Sequence, residues 1–129
     1  MTTRHKDYQA VHDTIIQEAF NSLDKVSHDV YINPGTKNLT SVNSLYPDII
    51  ITAKGDKNVK FIIEVETQDS VNLNEVDQWK QYSQLGGTFY LLVPRDMKTT
   101  AEILCRQNEI KVRIGIYYYE NSKIIIKYD

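Results

Sequence analysis

The sequence predicts a single α/β domain in which a mixed β-sheet is flanked by helices. Some segments repeat apolar residues at three- and four-residue steps, as amphipathic helices do, while others are short β-branched and aromatic runs typical of strands. These segments follow one another in the order αβββαβαββ, and strands joined through a helix are usually parallel. The 129 residues suit one domain spanning 1–129.

The first helix and strand are expected at the start of this order. A helix is predicted over residues 7–26, because its apolar residues keep helical spacing: Tyr8, Val11, Ile15, Ala19, Leu23 and Val26. A short strand is predicted over 28–33, where Asn33, Pro34 and Gly35 supply a turn signal.

A β-hairpin is predicted from two apolar runs, 47–52 and 59–67, separated by the polar turn 54–58. If the chain turns near Gly55 and Asp56, paired residues have numbers that sum to about 111 or 112. Asp48 then lies opposite Ile63 or Glu64. Both strands should be central, because they are apolar on both faces.

The remaining elements complete the sheet. A helix is expected over 72–85 with Asn72 as N-cap, then a strand over 88–93 and a helix over 99–107 that buries Cys105. Strands 111–119 and 123–128 should pair around Asn121 and Ser122. Alternation along the first of these strands favours packing or a dimer surface over base stacking for the tyrosines at 117–119.

Composition and charge narrow the function classes. The 15 basic and 17 acidic side chains give a net charge of −2, which argues against a general nucleic-acid coat protein. One cysteine cannot form an internal disulfide, and no signal peptide or membrane-spanning run is found. We therefore expect a soluble, intracellular (cytoplasmic) protein with no membrane partner.

Three acidic residues carry the predicted chemistry. Glu64 and Glu66 are two residues apart in a strand and so share a face, and the hairpin register adds Asp48. Three carboxylates in a partly buried sheet repel one another, and a bound cation would offset this repulsion. Hard oxygen ligands suit Mg²⁺ or Mn²⁺, which also bind substrate phosphate. A metal site at Asp48, Glu64 and Glu66 is predicted.

This arrangement resembles the PD-(D/E)xK nuclease superfamily. The similarity lies in Pro47-Asp48, fifteen intervening residues, and Glu64-Val65-Glu66. It implies a restriction-endonuclease-like fold and a Mg²⁺-dependent deoxyribonuclease, a hydrolase in which metal-activated water attacks the phosphodiester. It also implies that Glu18, a glutamate of the first helix, completes the catalytic set; an exposed residue at the border of the helix is the alternative for Glu18.

The second predicted helix extends the resemblance. Gln78 and Tyr82, one turn apart, are similar to the QxxxY element of the RecB-like and Holliday junction resolvase-like branch, which positions DNA or the active site. Helix packing is the alternative for both. The family usually has lysine where this chain has Glu66, a variant also present in active restriction endonucleases. Lys80 is a possible substitute cation supplied by the helix.

Three hypotheses follow. The first is a DNA endonuclease, with structure-specific cleavage as one alternative. A homodimer is expected, because so short a chain needs a second copy to hold two strands. The second is a catalytically inactive member of the same fold that binds DNA or a protein. The third is an unrelated α/β domain with a chance Asp and Glu-x-Glu.

His5, His12 and His28 lack ligand spacing and are expected to be surface or packing residues.

Overall fold

A computed structural model describes residues 6–35 and 38–128. The helices are α1 (Lys6–Ser22), α2 (Val76–Ser83) and α3 (Lys98–Gln107). The strands are β1 (His28–Ile32), β2 (Ile49–Ala53), β3 (Val59–Val65), β4 (Thr88–Pro94), β5 (Arg113–Glu120) and β6 (Lys123–Lys127). Short 3₁₀ turns at Leu73–Glu75 and Arg95–Met97 lead into α2 and α3.

The six strands form one mixed sheet in the order β1-β2-β3-β4-β5-β6. Strands β1, β2 and β3 are antiparallel, β3, β4 and β5 are parallel, and β6 returns antiparallel to β5. Helices α2 and α3 supply the two crossovers that parallel pairing requires. The predicted α/β class with a mixed sheet and helices is confirmed.

Each face of the sheet supports a hydrophobic core. Helix α1 packs on one face, where Ile15, Ile16 and Ala19 meet sheet residues such as Ile63 and Leu92. Helices α2 and α3 cover the other face, with Trp79 as the largest fully buried side chain of the molecule's described part. Strand β3 therefore sends alternate side chains into two different cores, as its apolar sequence predicted.

The β2–β3 hairpin has the predicted register. Ile49 pairs with Ile63, as predicted for a turn near Gly55 and Asp56, and a bulge after Ile51 shifts the pairing by one residue near the turn. Extending this register by one residue places Asp48 opposite Glu64. The turn between β5 and β6 also lies where expected, with positive φ at Asn121 and Ser122 that suits a tight hairpin.

Two helix boundaries differ from the sequence prediction. Helix α1 ends at Ser22 rather than Val26, because the Asp24 carboxylate accepts the backbone N–H groups of Val26 and Ser27 and turns the chain. Val26 is 86% exposed and does not join the core. Asn72 does cap a helix start, but the helix is the 3₁₀ turn, and α2 begins at Val76.

Gly87 marks a close approach between β3 and the start of β4. A Cβ atom at this position would lie 2.9 Å from a Val59 methyl group and 3.0 Å from the Lys60 carbonyl oxygen. Only glycine fits there without a shift of the backbone.

None of the helices in the described ranges is long and apolar enough to cross a membrane.

Candidate active site at the carboxyl end of strand β3

The three predicted acids lie at one edge of the sheet, where β2 begins and β3 ends. Asp48 immediately precedes β2, Glu64 lies in β3, and Glu66 follows it. Their exposed fractions are only 7%, 6% and 0%. Buried carboxylates are costly unless they are bonded or serve a function, so each needs its partners identified.

Asp48 and Glu64 are tied together across the hairpin. The backbone N–H of Asp48 donates to Glu64 Oε1 at 3.1 Å. In return, the backbone N–H of Val65 donates to Asp48 Oδ2 at 2.8 Å. Each carboxylate is thus fixed by the main chain of the opposite strand, and the side chains are held side by side.

Helix α1 contributes His12 to this pair. Its Nε2 lies 2.9 Å from Asp48 Oδ2, and its Nδ1 lies 3.1 Å from Asp13 Oδ1. Asp13 is fixed in turn by the Gln9 side-chain amide and by the backbone N–H of Gly35, both at 2.9 Å. This chain of contacts holds the imidazole, which is 2% exposed, against the acid. The sequence-based expectation of a packing role for His12 omitted this contact, and His5 lies outside the described residues.

The electrostatics of the site centre on Glu64. Burial raises the pKa of this carboxyl well above its usual range, and the neighbouring Asp48 and Glu66 carboxylates raise it further. Burial and the same three carboxylates also raise the pKa of Tyr82. The site is therefore a confined region of negative potential that a cation would relieve.

Glu66 has a different environment from the one that the sequence predicted. Its Oε1 accepts a hydrogen bond from Ser70 Oγ and its Oε2 one from Trp79 Nε1, both at 2.8 Å. The Tyr117 hydroxyl also donates to its backbone carbonyl at 2.8 Å. Both carboxylate oxygens thus accept hydrogen bonds inside the protein, and Glu66 as a metal ligand stays a prediction of the sequence. Its observed role is to anchor the loop to α2.

The second helix presents part of the predicted QxxxY element to the acids. Gln78 Nε2 donates to the Tyr82 hydroxyl at 3.0 Å, and the tyrosine ring is buried on the side of the sheet that carries Glu64. Lys80 is exposed on the same helix. Its carbonyl accepts a hydrogen bond from Ser83 Oγ, but within the described ranges its ammonium group makes no hydrogen bond or ion pair with the acids.

Glu18 is not brought to the acids. Its side chain is exposed on α1, where the buried stripe is formed by His12, Ile15, Ile16 and Ala19. Glu18 is six residues beyond His12, which corresponds to about 9 Å along the helix axis and about 120° around it. His12 is the residue of α1 that contacts Asp48, and a role for Glu18 in the site stays a prediction of the sequence.

The oxygens of Asp48 and Glu64 suit a hard cation only in part. Within residues 6–35 and 38–128, no group of three or more His, Cys, Asp or Glu side chains is arranged to hold a metal ion. In the same ranges, the N–H donors of this pair go to Asp48 Oδ2 and Glu64 Oε1, and the two carboxyl groups also hydrogen-bond to each other, which leaves Asp48 Oδ1 and Glu64 Oε2 without an N–H donor. Since Mg²⁺ is commonly held by one or two carboxylates with water and substrate phosphate, these two oxygens fit that kind of site.

Only some of the residues that sequence reasoning missed have a signal in the sequence. His12 lies three and four residues before Ile15 and Ile16, on the apolar stripe of α1, so its burial was predictable. The Ser70 and Trp79 contacts with Glu66 depend on how α2 docks, and no local pattern reports that.

Comparisons with known proteins gave no relatives. A scan against models of protein families, a search of curated proteins and a search of solved structures each found no match.

Proposed function

We propose that this chain is a metal-dependent DNA endonuclease with a restriction-endonuclease-like, PD-(D/E)xK fold. The observation that carries the proposal is the pairing of Asp48 with Glu64 at the hairpin end, with one oxygen of each carboxylate left without an N–H donor among the described residues. The raised pKa of Glu64 supports it, because crowded carboxylates favour a bound cation.

The roles follow from the contacts. Asp48 and Glu64 would hold Mg²⁺ or Mn²⁺, and such an ion supplies Lewis-acid stabilisation of a phosphodiester and a more acidic bound water for hydrolysis. His12 fixes the orientation of Asp48 through Oδ2, leaving Oδ1 for the ion. Tyr82, held by Gln78, closes the side of the site that faces α2.

A second candidate function is a catalytically inactive module of the same fold that binds DNA or a protein. One observation favours it: the position where the resembled family usually has lysine is Glu66, and its oxygens accept hydrogen bonds from Ser70 and Trp79. In this reading the acids are a remnant of a catalytic site. DNA and a second copy of the chain are the proposed partners under either function.

Cleavage of DNA tests the first proposal directly. A panel of linear duplex, single-stranded, flapped and four-way-junction DNA is incubated with Mg²⁺ or Mn²⁺ and compared between the wild type and Asp48→Asn. We expect the substitution to reduce cutting at least about 100-fold, because it removes a charged ligand. Asp77→Asn, an exposed acid of α2, is the matched control and should cut like the wild type.

Each result has a definite meaning. Metal-dependent cutting that is lost only in Asp48→Asn supports the endonuclease. Equal activity in the wild type and Asp48→Asn would indicate a contaminant and contradict the proposed site. If the wild type cuts no DNA of the panel with either metal, the inactive module becomes the better account.

A further inference from the structure

A pocket of about 430 Å³ lies beside the acidic site and is not used by the proposed chemistry. Its walls come from α1, from the loop after β3, from the turn after β4, and from β5. They include Tyr8, Thr67, Gln68, Arg95, Tyr118 and Tyr119. We call it the tyrosine pocket. Its volume lies within the range of about 300–1,000 Å³ that is usual for small-ligand sites.

Topology places the tyrosine pocket at the same sheet edge as Asp48 and Glu64. Strands β3, β4 and β5 are parallel, so the residues that follow β3 and β4 and the last residues of β5 meet at one edge. Thr67 in the pocket wall directly follows Glu66, and Tyr117 links the two regions by donating to the Glu66 carbonyl. Ligands of open α/β sheets bind at this carboxyl edge.

The tyrosine pocket carries a stacked cation. The Arg95 guanidinium carbon lies 3.9 Å from the centre of the Tyr118 ring, and Lys127 Nζ lies 5.8 Å from the same ring. Arg95 is exposed and has no carboxylate partner in the ranges described by the structure, so its N–H donors are available. The acid in the wall, Asp96, accepts a hydrogen bond from Gln68 Nε2 at 2.6 Å. Arginine stacked on an aromatic ring is well suited to a phosphate or a base.

Tyr119 supplies an aromatic surface in the wall of the same pocket, on the face of β5 opposite to the stack of Arg95 on Tyr118. Its side chain is 54% exposed, whereas Tyr117, two residues earlier, is 4% exposed and lies in the core. An exposed ring beside an arginine is the combination by which proteins bind unpaired bases, because every base has a face that can stack. A base inside duplex DNA has both faces covered and cannot use such a surface.

We propose that the tyrosine pocket binds one unpaired nucleotide of DNA, with Arg95 contacting a phosphate and Tyr119 stacking on a base. The favoured substrate is then DNA with a single-stranded segment, such as a flap or a single-stranded end, rather than continuous duplex. The proposal rests on the proposed endonuclease function for the choice of DNA as ligand. The binding itself requires no cleavage.

Binding measured without catalysis tests the proposal. Fluorescence anisotropy in EDTA compares a labelled oligothymidine with a labelled hairpin duplex. The wild type should bind the single strand more tightly, and Tyr119→Ala or Arg95→Ala should weaken that binding about tenfold. Arg95→Lys keeps the charge but not the planar stack, so we expect a loss of smaller size.

Matched controls come from the opposite end and the edge of the sheet. Lys57→Ala removes one positive charge from the β2–β3 turn, and Tyr31→Ala removes an exposed ring from β1; both should change the affinity less than about twofold. Circular dichroism checks that every variant is folded.

The outcomes separate this site from the nuclease. Four results would each overturn the proposed nucleotide site, whatever the cleavage assay gives. They are duplex binding as tight as single-strand binding, an equal loss of affinity in the control variants, no binding at all, and unchanged affinity in Tyr119→Ala and Arg95→Ala. Pocket-dependent binding by a protein that cuts nothing would support the pocket and remove the endonuclease.

Discussion

Two adjacent regions place their carboxylates in different hydrogen-bonding environments: the hairpin end that carries Asp48 and Glu64, and the loop that carries Glu66. At the hairpin end, backbone N–H groups fix one oxygen of each acid, and the other oxygen has no N–H donor among the described residues. In the loop, Ser70 and Trp79 satisfy both oxygens of Glu66. The first arrangement is suited to binding, and the second to holding the structure together.

The difference shows that a shared face of a strand does not imply a shared role. Both glutamates point toward α2, as alternation requires, but β3 ends at Val65 and Glu66 lies where the chain leaves the sheet. There its carboxylate meets the indole of Trp79 from α2. The position of a residue relative to the strand end therefore decides which partners it meets.

The largest expected effect comes from removing the anchor. Glu66→Ala leaves the buried Ser70 hydroxyl and Trp79 N–H without an acceptor, so we expect the free energy of unfolding to fall by roughly 3 kcal/mol. Urea unfolding followed by circular dichroism measures it. Glu102→Ala, at an exposed position of α3, is the control and should change the stability by less than about 0.5 kcal/mol. A loss in Glu66→Ala no larger than in this control would contradict the anchor.

A somewhat smaller effect should distinguish the two regions by metal binding. Mg²⁺ or Mn²⁺ at about 100 times its Kd should raise the free energy of unfolding of the wild type by about 2.7 kcal/mol. We expect no such gain in Asp48→Asn or Glu64→Gln, which alter the hairpin acids. Trp79→Phe, which alters the anchor and the core around it but neither hairpin acid, should keep the gain from its lower starting stability.

Thermal unfolding with and without the metal gives the comparison. A gain that persists in Asp48→Asn would place the metal elsewhere. A gain abolished by Trp79→Phe would show that Glu66 belongs with the ligands, as the sequence pattern first suggested.

The smallest expected effect concerns pH. Because the folded protein raises the pKa of Glu64, the folded state binds more protons than the unfolded state above the ordinary value of 4.5. The contribution of Glu64 to stability is therefore present at low pH and lost as the pH rises from that value through the raised pKa. Glu64→Gln removes this loss, and in EDTA at neutral pH we expect it to be more stable than the wild type by about 1 kcal/mol.

Unfolding measured across the pH range provides the check. The difference in stability between Glu64→Gln and the wild type should grow with pH, whereas Glu102→Gln should run parallel to the wild type. A constant difference for Glu64→Gln would mean that its carboxyl is not perturbed.

Much of the sheet could be predicted from the sequence because local features determine it. The turn at residues 54–58 fixed the hairpin register, and the register placed Asp48 beside Glu64. Alternation also separated Tyr117, which enters the α1 core, from Tyr118. These predictions needed only the period of a strand and the position of a turn.

The parts that could not be predicted depend on packing between distant elements. The apolar pattern predicted that α1 continues to Val26, but the Asp24 carboxylate accepts the Val26 N–H and the helix ends earlier. Helical spacing did not determine which polar residue of α1 faces Asp48. The way in which α1 packs on the sheet places His12, and not Glu18, against Asp48. Glu66 could not be assigned as an anchor before the position of Trp79 was known.

The contacts of Glu66 also imply an order of events during folding. Asp48 and Glu64 are joined within a hairpin, whose closure brings together residues only 16 apart in the chain. The bond from the Tyr117 hydroxyl to the Glu66 carbonyl spans 51 residues and requires both crossovers to be in place. Since closing a longer loop costs more chain entropy, we infer that the paired acids assemble early and that the link to β5 forms late.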